Sequence, residues 1–276
     1  MTKSDNPFAI ITGTSRGIGA EYARVLARQG FDLLLISRDQ KRLAQFSREL
    51  EADYNVQAYI GILDLAKSGS AHELFAIARN YRNAPDILIN NAGFGIYGEF
   101  AFQPMKPTQQ MLHLHLQTVV ESIRLFLPGM IKRGSGAIIN VSSIAGMFPI
   151  PFMAEYAATK AFLISFSEAL AEEVKSTGVQ IQACCPGPTE TNFHSIAGFK
   201  PKNPFSIQTT TDVVPASLTA LKKKQAFVTI GWPGKFSSIM TKWVPKKILI
   251  KAASQVIKKG LKIAKFCQNS GKREIE

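Results

Sequence analysis

Cysteine is scarce in this 276-residue chain, which holds three. Cys184 and Cys185 are adjacent and Cys267 is distant, so there is no Cys-x-x-Cys pair and no even-numbered disulfide framework. A reducing, cytoplasmic compartment is expected. Long apolar runs are missing too: none reaches about 18 residues, so no transmembrane helix is expected. The polar start, Met1 to Pro7, leads at once into an apolar run and leaves no room for a signal or transit peptide. Histidine is equally sparse. His113 and His115 stand two apart on a predicted helix and face different ways, while His72 and His194 add no ligand cluster, so no metal site is expected. Carboxylates nearly vanish from the C-terminal fifth: residues 222–276 carry 14 Lys and Arg against 2 Asp and Glu, whereas 1–221 carry 19 against 18. The body is close to neutral (net +1) and the tail strongly basic (net +12). Arginine is nearly absent from that tail and no recognition fold precedes it, so nucleic acid is not an expected partner. No repeat of 20–50 residues and no low-complexity segment other than the tail interrupts the chain.

Apolar strand-like runs occupy 8–12, 32–37, 56–60, 86–90, 136–142, 179–184 and 226–230. Between them, apolar residues recur at three- and four-residue spacing over 18–28, 40–51, 70–81, 108–132, 154–176 and 211–223. The alternation predicts an α/β fold, a Rossmann-type doubly wound parallel sheet of seven strands with helices on both faces. One domain, 1–232, and a basic amphipathic C-terminal extension, 233–276, are expected. In such a sheet the functional groups gather at the carboxyl ends of the strands.

The first run passes straight into Gly13-Thr-Ser15-Arg16-Gly17-Ile18-Gly19 and a helix. Glycines permit a tight turn and close backbone approach, and a helix N-terminus offers free N–H groups to a pyrophosphate. A kinase-type phosphate loop would need Gly-Lys-Ser/Thr at the helix entry, and Gly19-Ala20-Glu21 has neither residue. After the second run an acidic residue would bind a ribose 2′-hydroxyl, whereas arginine accommodates a 2′-phosphate. Ser37-Arg38 stands there, with Arg16 as a second cation, so NADP(H) is favoured over NAD(H). Arg38 could instead pair with Asp39. Asp64, read as the end of the third strand, can accept from an adenine amino group, and Asn90-Asn91-Ala92-Gly93 closes the fourth.

Tyr156 and Lys160 stand one helical turn apart, thirteen residues after Ser143. An ammonium on the same helix face can lower a phenol's pKa from about 10 towards neutrality and make it a usable proton donor. Thr12-Gly-x-x-x-Gly-x-Gly19, Asn90-Asn-Ala-Gly93, Ser143, Tyr156-x-x-x-Lys160 and Pro186-Gly187, in this order and spacing, resemble the short-chain dehydrogenase/reductase family over about residues 8 to 231. Arg24 to Leu35, Leu127-Pro-Gly-Met130 and Tyr156 to Phe162 resemble the branch that holds 3-oxoacyl-CoA and 17β-hydroxysteroid reductases. The resemblance implies strand order 3-2-1-4-5-6-7 and a homodimer or homotetramer. It makes Tyr156 the proton donor or acceptor at the substrate oxygen, Ser143 the group that orients that oxygen, and Lys160 the ribose ligand. It also adds Ile18, Leu65, Asn91, Ala92 and Gly93 as cofactor contacts, with Pro186, Gly187, Thr189 and Thr191 at the nicotinamide. One position departs from the pattern, for the residue that is usually an asparagine holding a water linked to the lysine falls on His115. A proton relay with altered pH dependence and a packing histidine are both open readings.

Met147 to Met153, and Phe193, Ile196, Phe199 and Phe205, would overhang the nicotinamide and suit a lipophilic carbonyl or alcohol. Packing on one another or on a partner subunit is the alternative. From Lys246 to Cys267, Leu249, Ala253, Val256, Ile257, Gly260, Ile263 and Ala264 follow helical spacing, with Lys247, Lys251, Lys258, Lys262 and Lys265 opposite. After Trp232, Phe236 and Trp243, this segment suits peripheral contact with an anionic membrane through 244–267. Docking on the body by the apolar face is the other reading.

Overall fold

β1 (Phe8–Thr12) and β2 (Asp32–Ser37) are buried along almost their whole length, which is why both read as apolar runs with no alternation. They are joined by β3 (Ala58–Ile62), β4 (Ile87–Asn90), β5 (Gly136–Val141), β6 (Val179–Cys185) and β7 (Phe227–Thr229). All pairings are parallel, and the order is β3-β2-β1-β4-β5-β6-β7, as the resemblance implies. The structure is a computed structural model that describes residues 5–190 and 207–270. Thr191, His194, Phe193, Ile196, Phe199 and Phe205 therefore lie outside the described residues.

Helices cover both faces. On one, α1 (Gly17–Arg28), α2 (Gln40–Tyr54) and α7 (Thr210–Lys222) bury Leu26, Phe46 and Val214 against Ile11, Leu35 and Ile139. On the other, α3 (Ser70–Arg79), α5 (Thr118–Arg133) and α6 (Ala154–Glu173) bury Leu74, Phe126 and Leu163 against Ile10, Leu34 and Ile138. The helix expected over 108–132 is not one regular element. It comprises α4 (Met105–Leu112), a π-helical turn at His113–Gln117 and then α5. Such wide turns break the regular i to i−4 ladder and re-aim the side chains they carry. The third strand also begins and ends two residues later than its apolar run, so Asp64 sits in the loop beyond Ile62. Two helices follow β7: α8 (Gly231–Trp243), which apolar periodicity did not disclose, and α9 (Lys246–Ser270).

The turn between β1 and α1 is locked to the end of β4. Thr12 Oγ1 accepts from the backbone N–H groups of Asn91 (2.9 Å) and Ala92 (3.0 Å) and donates to Ile89 O (3.2 Å). Asn91 Nδ2 donates back to Thr12 O (2.8 Å) and Gly13 O (3.2 Å). Gly19 lies under this lock, where a Cβ would collide with both the Gly13 carbonyl and Asn91 Nδ2. Gly19→Ala should therefore lower the unfolding free energy by about 1–3 kcal/mol, read from the urea midpoint at unchanged slope.

Candidate active site

A single cavity of about 900 Å³ runs along the carboxyl ends of the strands, from the glycine-rich turn to α9. Gly13, Ser15, Arg16, Gly17, Ile18, Arg38, Asp64, Leu65, Asn91, Ala92, Gly93, Ser143, Tyr156, Lys160, Pro186, Gly187 and Thr189 all line it. Gly19 and His115 do not; each is buried behind a residue that does.

At the nucleotide end, Arg38 does not pair with Asp39. Asp39 caps α2 by accepting from Arg42 N (3.1 Å), while the mostly exposed Arg38 guanidinium stands 4.0 Å from Asp64. Arg16, at the N-cap of α1, offers a second cation beside that helix's unpaired N–H groups. Two cations, a helix N-terminus and a turn with glycine at 13, 17 and 19 fit the phosphates of a dinucleotide. At the far end, Gln208 fixes the loop after β6 by accepting from Gly187 N (3.0 Å) and donating to Ile230 O (2.5 Å). Nothing in the sequence signals this role, because a lone glutamine carries no motif.

Between the ends lie Ser143, Tyr156 and Lys160. Ser143 caps the short turn Ile144–Gly146, accepting from Ala145 N (3.1 Å). That turn lies flush on α6, since a Cβ on Gly146 would clash with the Lys160 backbone, and Ser142 Oγ donates to Lys160 O (2.7 Å). Ser143 is thereby held against Tyr156, to which its side chain hydrogen-bonds. Lys160 Nζ donates to Val141 O (2.9 Å) and sits 5.7 Å from the Tyr156 ring centroid. Burial sets the protonation of both. It raises the Tyr156 phenol, opposed by the Ser143 hydrogen bond, and lowers the Lys160 ammonium to about 8. The expected lowering of the phenol by Lys160 is absent, because desolvation outweighs an ammonium held on a backbone carbonyl.

His115 is 1% exposed. Phe94 N donates to its Nε2 (3.2 Å), and Thr159 Oγ1, already donating to Tyr156 O (2.7 Å), stands 2.9 Å from its Nδ1. Nδ1 must then carry the proton, and both ring nitrogens are engaged. Burial, with a smaller contribution from Lys160, lowers its pKa well below the usual value and keeps the ring neutral. The ring occupies the space of a missing side chain, for a Cβ on Gly93 would lie 2.8 Å from Nε2.

The substrate end is apolar. Phe148, Ile150 and Met153 from the predicted loop line it. So do Phe94 and Tyr97, one and four residues after Gly93, which apolar periodicity and motif did not single out, and Val256, Ile257 and Lys259 of α9. Ile257 packs on the cluster of Met111, Ala145, Met153 and Tyr156, and Lys258 Nζ lies 5.3 Å from the Phe152 ring centroid. This part of α9 docks on the body. Among the described residues no group of His, Cys, Asp and Glu could hold a metal ion.

Known proteins resemble this chain in sequence and fold. A family model described as short chain dehydrogenase matches residues 7–198. Ketoacyl reductase HetN of Nostoc sp. is 33% identical over 231 residues, 83% of this chain and 80% of that protein. The very-long-chain 3-oxoacyl-CoA reductase of Mus musculus is 30% identical over 249 residues, 88% of this chain and 78% of that one. Among solved structures, a short-chain dehydrogenase from Sphingobium yanoikuyae in complex with NADPH superposes with TM-score 0.78 at 29% identity, covering 84% of this chain and 92% of that one.

The neutral His115 carries a pH signature. The unfolded chain takes up a proton near pH 6.5 that the folded one resists, so this contribution to stability is complete above pH 6.5 and is lost as pH falls below it. His115→Asn should flatten the acid side of the stability profile, by up to about 1.4 kcal/mol per pH unit, in urea unfolding followed from pH 7 to pH 5.

Proposed function

The chain belongs to the short-chain dehydrogenase family and is an oxidoreductase of its 3-oxoacyl reductase-like branch, and from that premise we propose that it interconverts a lipophilic ketone and its secondary alcohol using NADP(H). One observation carries the reading: Ser143, Tyr156 and Lys160 converge on the same cavity as the glycine-rich turn and Arg38, with an apolar wall facing them.

NADPH would supply the hydride, received at the carbonyl carbon. Ser143 orients the carbonyl oxygen through its hydroxyl. Tyr156 gives that oxygen its phenolic proton, so ketone, hydride and proton together make the alcohol. A phenol raised by burial holds its proton at neutral pH, which suits a donor in the reductive direction. Lys160, buried with its Nζ on Val141 O at the edge of the cavity, would bind the ribose hydroxyls. His115 acts as a positioning residue, bracing the Tyr156 backbone through Thr159 while filling the hollow at Gly93. Arg38 and Arg16 favour a 2′-phosphate, which supports NADP(H) over NAD(H). Phe148, Ile150, Met153, Tyr97 and Ile257 make the substrate side suit a fatty acyl chain, a steroid or another hydrophobic ketone.

A non-catalytic, NADP(H)-binding protein on the same fold is the rival, favoured only by His115 at the position usually held by asparagine. Absorbance at 340 nm decides between them, with NADPH and a panel of 3-oxoacyl thioesters and bulky ketones. The enzyme should turn over at least one of them, and Tyr156→Phe should cost about 100- to 10,000-fold in kcat with NADPH binding retained. NADPH binding without turnover across the panel would defeat the catalytic reading. Arg38→Ala should weaken NADPH at least about tenfold and leave NADH little changed.

A further inference from the structure

The outer face of α8 is apolar, and among the described residues nothing covers it. Trp232, Phe236, Ile239 and Trp243 follow one another at spacings of four, three and four, so all four share one stripe of the helix. They are exposed at 75%, 47%, 57% and 84%, and Trp232 stacks on Phe236 with ring centroids 5.2 Å apart. The opposite face holds the helix to the body. Gly234 is buried there, so close to β7 that a Cβ would lie 2.9 Å from Thr229 Cβ. The stripe consequently points away from the sheet.

We propose that this stripe is a docking surface for an anionic lipid bilayer, with α8 lying in the interface and the exposed Lys246, Lys247 and Lys251 at the start of α9 meeting lipid headgroups. Charge selects this occupant. From residue 213 to residue 273 the chain has no Asp or Glu, and 222–276 carry a net +12, so a second copy of the same face would meet like charge. Composition agrees: aromatic rings with a polar edge at both ends of an apolar stripe, flanked by lysines, suit the boundary between headgroups and acyl chains. The expected contact through 244–267 thus moves towards α8, because Ile257 of α9 already packs on the body beside the cavity. Among the described residues no helix is long and apolar enough to cross a membrane. The docking does not depend on the catalytic reading.

Trp232 and Trp243 are the chain's two tryptophans, so fluorescence excited selectively at tryptophan reports on the stripe alone. With phosphatidylglycerol-rich vesicles the emission should shift to the blue, and brominated acyl chains should quench it. Pure phosphatidylcholine vesicles should do neither, and raised salt should weaken the effect. Phe236→Asp combined with Ile239→Asp should abolish co-sedimentation with the anionic vesicles while NADPH binding in free solution is unchanged. An unmoved emission in the folded wild-type protein would overturn the proposal. So would vesicle binding that survives the double substitution, or a wild-type dimer that ignores vesicles and is split by it.

Discussion

The contact between the first turn and the end of β4 is the constraint on which the site depends. Thr12 and Asn91 exchange two side-chain to backbone hydrogen bonds across two adjacent strands, Asn91 adds one to Gly13, and Thr12 adds two more, from Ala92 and to Ile89. These bonds satisfy backbone groups at strand ends that would otherwise be buried without partners. They also set the height of the glycine-rich turn relative to Ala92 and Gly93, so the dinucleotide-binding half and the reacting half of the cavity share one floor. Gly13 and Gly19 follow from this: each lies where a side chain would strike Asn91 or the backbone it grips.

The same economy of space governs the reacting groups. Tyr156 and Lys160 are both buried, and burial pushes each towards its neutral form. Such a site opposes charge in the resting protein and invites a partner that brings charge or hydrogen bonds of its own. Lys160 is held on the Val141 carbonyl meanwhile, and the Tyr156 helix is pinned by Ser142, Thr159 and His115. The groups are positioned by the sheet and α6 together, with little freedom left to their rotamers.

Most element boundaries were legible because strands buried on both faces must be apolar throughout, and because glycine and proline mark the turns between them, while the strand order was legible only through the family resemblance. The glycine-rich turn, Ser143, Tyr156 and Lys160 were legible because their chemistry demands particular residue types at fixed intervals. What stayed hidden depends on three-dimensional neighbours. The π-turn at His113–Gln117 has apolar periodicity on both sides and no Gly or Pro within it. The direction in which Tyr156 shifts is decided by burial, which one-turn spacing does not encode. Gln208 acts through two backbone partners far from it in sequence. The docking of α9 was one of two readings that its own amphipathic pattern could not separate; the contact of Ile257 with Met111 and Met153 separates them for that stretch.

Gly93 and His115 fit as a knob and its socket, 22 residues apart in sequence. Each identity is permissible only while the other is retained: a side chain at 93 needs the imidazole gone, and a smaller residue at 115 leaves a void beside a backbone N–H that has lost its acceptor. The two positions are therefore epistatic. A mutational path from this chain towards the asparagine usual at 115 passes through a less stable intermediate unless position 93 or the Phe94 loop changes with it.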